Sequence, residues 1–459
     1  MDLLVANGKL VMEKGAVKAD LAIDGGKISA IGRLEPPAGT RVLDAKGKLV
    51  LPGVIDAHTH FGLVVRGAVT ADGWEEGTLS AACGGVTTCI DYADPFPGKP
   101  LVEGAREKLV EAEGKAYIDY TVHMVVHRWI NGRKQELQEL KEIGIASLKV
   151  FTTYDQKIAD RELELLLEDA GDQGLLVTVH AEDDDLVRKL RSQLEQRGDT
   201  EPQNHGISRP PEVEERAVAK VIEAAQKLDV PVYFVHVSTG GGASRIAEAR
   251  RYGQKVYGET CPQYLILDDG VYASGDPRPA IMTPPLRLPG HQEGLWQALS
   301  KGALQVVATD HCAYTLEQKR RGKTCFDTLP GIPGSETLLP LLYTFGVGGG
   351  HFDVTCLARL LSTNPAKLFG LYPQKGCIEV GSDADLVIFD PEKEVVLDGE
   401  KLHSSAGYTP FAGIKVRGYP ETTLLRGEVI FHRGEFMGRP GIGRFVKAVS
   451  TSSAYNNYP

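Results

Sequence analysis

Five side chains able to bind a metal, together with one lysine, stand out between positions 58 and 310. They are His58 and His60 in Asp-Ala-His-Thr-His, Lys149 in Ser-Leu-Lys-Val-Phe, His180 in His-Ala-Glu, His236 in His-Val-Ser-Thr, and Asp310 in Ala-Thr-Asp-His-Cys. Each lies in or closes a short β-branched run, the signature of a buried strand. Residues two apart on a strand share a face, so His58 and His60 point the same way and can hold one ion. Neutral imidazole is a common zinc ligand. A carboxylate such as Asp310 can bind a metal and also take a proton from water. Lys149 differs, because an ammonium cannot bind a metal and a buried one is costly unless paired or neutralised. Addition of CO₂ would turn its amine into a carbamate, whose two oxygens can bridge metals about 3.5–4 Å apart. The ordinary alternative for Lys149 is a surface or ion-paired lysine. For any single histidine the alternative is a satisfied core residue, which suits His123, His127, His205, His291, His351, His403 and His432 better. His311, beside Asp310, is a candidate for supporting the ligands from behind. As a set the six residues read as a two-metal site that activates water.

These residues need a scaffold that brings six strand ends to one rim. Between about 52 and 375 the chain alternates strand and helix, with strand candidates at 53–60, 86–93, 120–126, 146–152, 175–181, 232–237, 255–260 and 304–310. Helical patterns intervene, among them 161–173 and 211–228, the second opening on prolines that suit a helix start. Eight apolar strands alternating with helices predict an α/β fold, a (β/α)₈ TIM-like barrel with its sheet buried on both faces. Residues 1–51 and 376–440 are instead rich in short strands and glycine turns. They predict a small β-sandwich domain built from both chain ends. A C-terminal tail, 441–459, is polar at its end. It is expected either to be disordered or to wrap a neighbouring subunit. The Met282–Arg287 stretch after strand seven and the long 315–335 loop after strand eight are expected to shape a substrate pocket.

Composition narrows the function classes. With 51 basic and 61 acidic side chains the formal charge is −10, which argues against nucleic acid or an anionic membrane as the main partner. The start, Met-Asp-Leu-Leu-Val-Ala-Asn-Gly, lacks a basic region followed by an apolar one, and no window approaches a membrane span. Seven scattered cysteines with no Cys-x-x-Cys show neither a disulfide framework nor a zinc ribbon. A reducing, cytoplasmic setting is expected.

The ordered motifs resemble the metal-dependent amidohydrolase superfamily, and within it the hydantoinase/dihydropyrimidinase family. They are Pro52-Gly-Val-Ile-Asp-Ala-His-Thr-His60, Val69-Thr-Ala-Asp72, Gly84-Gly-Val-Thr-Thr88, Leu148-Lys-Val-Phe-Thr-Thr-Tyr154, His180-Ala-Glu182, Glu259-Thr-Cys-Pro-Gln-Tyr-Leu265, Thr309-Asp-His-Cys312, Asn364-Pro-Ala-Lys367 and Gly381-Ser-Asp-Ala-Asp-Leu-Val387. His-x-His alone is a weak signal; the series covers nearly the whole chain. The resemblance implies hydrolysis of the ring amide of hydantoins or 5,6-dihydropyrimidines to N-carbamoyl amino acids. It implies two divalent ions, zinc or a similar metal, bridged by N6-carboxylated Lys149. One ion would take His58, His60, Lys149 and Asp310, the other Lys149, His180 and His236. Asp310 would move the proton, and Tyr154 would stabilise the developing oxyanion. Thr283, where serine is usual, and backbone groups at Gly331 or Ile332 would hold the ring amide. Val65, Phe151 and Ile158 resemble lid positions facing the exocyclic substituent. A homotetramer is usual in the family. Dihydroorotase and allantoinase are the rival activities. The arginine that often follows His-x-His in dihydroorotases is absent, since Phe61-Gly62 stand there. A non-catalytic dihydropyrimidinase-like scaffold is the rival of another class.

Overall fold

The computed structural model describes residues 1–130, 133–273 and 275–449. Its centre is a barrel of eight parallel strands: β1 (Val54–Thr59), β2 (Val86–Ala93), β3 (Asp119–Val125), β4 (Ser147–Phe151), β5 (Leu176–His180), β6 (Val232–Phe234), β7 (Val256–Thr260) and β8 (Val306–Val307). Each strand is hydrogen-bonded to the next in chain order. Closure comes from the segment after β8. His311 donates its N–H to the His58 carbonyl (3.3 Å) and accepts from the His60 N–H (2.8 Å). Every residue of β1, β2 and β3 is buried, as expected for strands covered on both faces.

The helices pack outside. The expected helix at 211–228 is observed as Pro211–Leu228, and that at 161–173 as Asp160–Gln173. The latter stops at Gly174, whose φ of +69° is a left-handed cap that favours glycine. Strands six and eight are shorter than the sequence predicts. His236 and Asp310 sit at φ +38° and +53°, a conformation no strand residue adopts. The chain turns out of the sheet there, and both side chains are delivered to the barrel mouth by that turn.

The two chain ends meet in one nine-stranded, mainly antiparallel sheet. Leu49–Pro52, just before the barrel, pairs antiparallel with Leu386–Val396, just after it. The β-rich stretch at 17–31, broken by its Gly-Gly turn, lies in a hairpin of Gly15–Asp24 and Lys27–Gly32, turned at Gly25-Gly26. This sheet wraps its own core, including Leu3, Val5, Leu21, Ile23, Leu386 and Leu424. A buried ion cluster joins it to the barrel. Lys375 Nζ lies 2.5, 3.0 and 2.6 Å from carboxylates of Asp119, Asp383 and Asp385, and Arg426 also pairs with Asp119. Residues 441–449 run along the barrel near β3, where Val446 donates to the Tyr120 carbonyl. The remainder of the expected tail, 450–459, lies outside the described residues.

Candidate metal centre

The six residues converge on the floor of a cavity of about 680 Å³. His58 Nε2, His60 Nε2 and Asp310 Oδ1 are mutually 3.2, 3.1 and 3.1 Å apart. Nitrogen and oxygen ligands about 2.0–2.2 Å from one tetrahedral ion are roughly 3.3 Å from each other, so this trio is spaced for a shared metal. A second pair stands beside it, His180 Nδ1 at 2.9 Å from His236 Nε2. Lys149 lies on the same floor, buried to 1% exposure, with its Nζ 4.9 and 5.2 Å from the Tyr92 and Phe151 ring centres. Among the described residues no carboxylate forms an ion pair with it.

The environment prepares these donors. Burial keeps His60, His180 and His236 below the usual imidazole range, hence neutral and able to bind a metal. Burial acts the same way on His58, but the carboxylates of Asp310 and Glu259 outweigh it and raise this imidazole to about 9. Burial alone would raise Asp310; the cluster of His58, His60 and His236 holds it well below the ordinary carboxylate range. Burial brings Lys149 down to about 7, so a large share of it is free amine near neutrality.

A further layer fixes ring orientations. Glu259 Oε1 contacts His58 Nδ1 (2.5 Å) and accepts from the His236 backbone N–H (3.3 Å), while its Oε2 accepts from the Tyr233 hydroxyl (2.8 Å). Glu182 Oε2 holds His180 Nε2 (2.7 Å) and is paired with Arg209 (2.5 Å). His311 Nδ1 accepts from the Gly334 and Ser335 N–H groups, which leaves Nε2–H to donate to Asp72 (2.9 Å). The roles of Glu259, Arg209 and Asp72 are absent from the sequence reading. The signal for Glu259 was available, a carboxylate in the apolar strand β7. By contrast His123 is a satisfied core residue, bonded to Ser147 and the Ala57 carbonyl.

Tyr154, at φ +72°, projects into the cavity with its ring centre 5.2 Å from that of His180. Burial raises its phenol far above the usual range, so it is a proton-bearing donor. Thr283, Val65, Phe151 and Gly331 all line the cavity. The backbone of Gly331 is already engaged, its N–H on the Ile281 carbonyl and its carbonyl on Lys319. Ile158 and Ile332 are not in the cavity wall: both are buried in the main apolar core, and Ile332 O accepts from the Cys312 N–H. Phe61, which follows His60, packs on Trp74 and His311.

Comparison with known proteins agrees with this architecture. The amidohydrolase family model matches residues 49–430. A D-hydantoinase of Geobacillus stearothermophilus is 40% identical over 97% of this chain and 96% of its own length. The crystal structure of dihydropyrimidinase from Brevibacillus agri has a TM-score of 0.96 at 38% identity, covering 98% of this chain and 99% of that one. The L-hydantoinase (dihydropyrimidinase) of Arthrobacter aurescens has a TM-score of 0.89 at 30% identity, over 97% and 99%. The chain belongs to the amidohydrolase family.

Proposed function

We propose that this protein is a two-metal cyclic amidohydrolase that opens hydantoins and 5,6-dihydropyrimidines to N-carbamoyl amino acids. The observation that carries the proposal is the convergence of His58, His60 and Asp310 at ligand spacing beside the His180–His236 pair and Lys149. The relatives named as hydantoinases and dihydropyrimidinase supply the substrate class. Zinc suits the histidine-rich donor set. The two sites would be held by His58, His60 and Asp310 on one side and by His180 and His236 on the other, with carboxylated Lys149 between them. When bound, the ions supply Lewis acidity to the attacking water and to the ring carbonyl.

The chain's own residues do the rest. Asp310, held as an anion, accepts the proton of the attacking water at its carboxylate and returns it to the departing ring nitrogen. The Tyr154 hydroxyl donates to the carbonyl oxygen as negative charge builds there. Thr283, on the same cavity wall, borders the ring amide. Val65 and Phe151 face the exocyclic substituent from the cavity wall. The catalytic unit is taken as 52–375, with 1–51 and 376–440 as its β-domain and 441–459 as its tail. A homotetramer in the cytoplasm completes the reading. Among the described residues no helix is long and apolar enough to cross a membrane.

The test is ring opening of hydantoin, dihydrouracil, dihydroorotate and allantoin side by side, with added zinc and with a chelator. Zinc-dependent turnover of the first two alone is the expected result. Turnover of dihydroorotate or allantoin instead would transfer the assignment to those activities. Protein that binds no metal and turns over none of the four would be a scaffold.

A further inference from the structure

Tyr92 stands near the end of β2, against the residues of the metal centre. Its ring is stacked on His60 (centres 4.8 Å apart, planes 19° apart) and also packs on His58 (4.8 Å) and His123 (4.9 Å). Lys149 Nζ lies 4.9 Å from its centre. These contacts fix the ring, and a phenylalanine could make all of them. The hydroxyl is the part they leave unexplained. It is buried and, among the described residues, has no hydrogen-bond partner. An orphaned buried hydroxyl destabilises a fold, so its presence calls for a function. A phenol carries its proton near neutral pH and is able to donate. Tyr92 and Lys149 line the same cavity, together with His58, His60 and Asp310.

We propose that the Tyr92 hydroxyl is a dedicated hydrogen-bond donor to the carbamate formed on Lys149, and so a positioning residue for the group that bridges the metals. The inference rests on the two-metal reading above. In the underlying step the lone pair of the Lys149 amine forms a C–N bond to CO₂. One C–O π pair moves onto oxygen, and the nitrogen's surplus proton passes to solvent. An anion with two acceptor oxygens then stands where an amine stood, beside the carboxylates of Glu259 and Asp310. A neutral donor stabilises that anion without adding charge, and the hydroxyl gains the acceptor it lacks.

The experiment strips the protein with a chelator and reloads it with zinc across a series of ¹³C-bicarbonate concentrations. Zinc content and the carbamate carbon resonance are read for the wild type and for Tyr92→Phe. The variant should need roughly tenfold or more bicarbonate for half-carboxylation. Thermal unfolding supplies a second readout. In CO₂-free, metal-free buffer Tyr92→Phe should be as stable as the wild type or more so, because the orphaned hydroxyl is gone. With zinc and bicarbonate the order should reverse. Unchanged bicarbonate dependence, or an equal loss of stability in both states, overturns the role of Tyr92 while leaving the two-metal reading intact. Absence of any carbamate resonance in the zinc-loaded wild type overturns both.

Discussion

Glu259 is the residue whose replacement most directly tests how the metal centre is held. Its Oε1 serves His58 Nδ1 and the His236 N–H, and its Oε2 serves the Tyr233 hydroxyl. With Nδ1–H turned toward the carboxylate, His58 keeps Nε2 free for the ion. In Glu259→Gln the amide oxygen can still accept from His58 and His236, and the Tyr233 hydroxyl can rotate to accept from the new NH₂. The tautomer survives and only the charge is lost. Hydrogen bonds to charged groups contribute about 1.5–3 kcal/mol and neutral ones about 0.5–1.5 kcal/mol. The difference, about 1–1.5 kcal/mol, is roughly tenfold in zinc affinity. Glu259→Ala leaves three donors without an acceptor and frees the His58 ring, which should weaken zinc about 100-fold. Proton competition works in the opposite direction. His58 is held protonated to about pH 9 in the metal-free site, so wild-type affinity should climb until about pH 9. Either variant lowers that pKa, and its climb should end at a lower pH. Competition titration against a fluorescent chelator at pH 9.5 therefore isolates the hydrogen-bond effect. Equal affinity of wild type and Glu259→Gln there would refute the charge contribution, and a Glu259→Ala variant no weaker than Glu259→Gln would refute the tautomer argument.

Four other outcomes are expected. Lys149→Ala should lose metal and turnover and regain part of both with short carboxylic acids in the buffer; full activity without them would end the carbamate reading. Asp310→Ala should bind metal weakly and turn over negligibly at saturating zinc, and near-normal kcat would remove Asp310 as the proton carrier. Burial raises the Glu182 carboxyl, but Arg209 and His180 outweigh it and hold it at about 2 against an ordinary 4.5. Stability from this group is thus present above pH 4.5 and lost as pH falls toward 2. Glu182→Gln should cost up to about 3 kcal/mol at pH 7, a gap that closes in acid denaturation series; a gap independent of pH would contradict the assignment. Lys375→Met leaves the buried carboxylates of Asp119, Asp383 and Asp385 without their shared cation and should cost about 3–5 kcal/mol in urea unfolding, against under 1 kcal/mol if Arg426 alone suffices.

What could be read from the chain divides along a physical line. His58, Lys149 and His180 occupy strands and His60 directly follows one, so period-two alternation and β-branched neighbours give both the element and the facing direction. The barrel and the two-ended β-domain follow from the same periodicities. His236 and Asp310 were legible as residue types near strand ends, but not in their geometry. Their positive φ angles take them out of the ladder, and no local pattern announces that turn. Ile158, taken as a lid position from the family resemblance, shows the converse: its side chain packs into the core, as does that of Ile332, which was offered for its backbone groups, because loop residues have no period to fix which side faces the cavity. The supporting charges were hidden for a third reason. Arg209 and Glu182 are 27 positions apart, Lys375 and Asp119 256 apart, and compensation of a buried charge depends only on distance in space. Three of the site's residues, Tyr154, His236 and Asp310, therefore stand in backbone conformations that cost energy in isolation. The fold tolerates them because the barrel, its closing strand and the buried ion pairs leave the chain no cheaper path between the strand ends and the cavity.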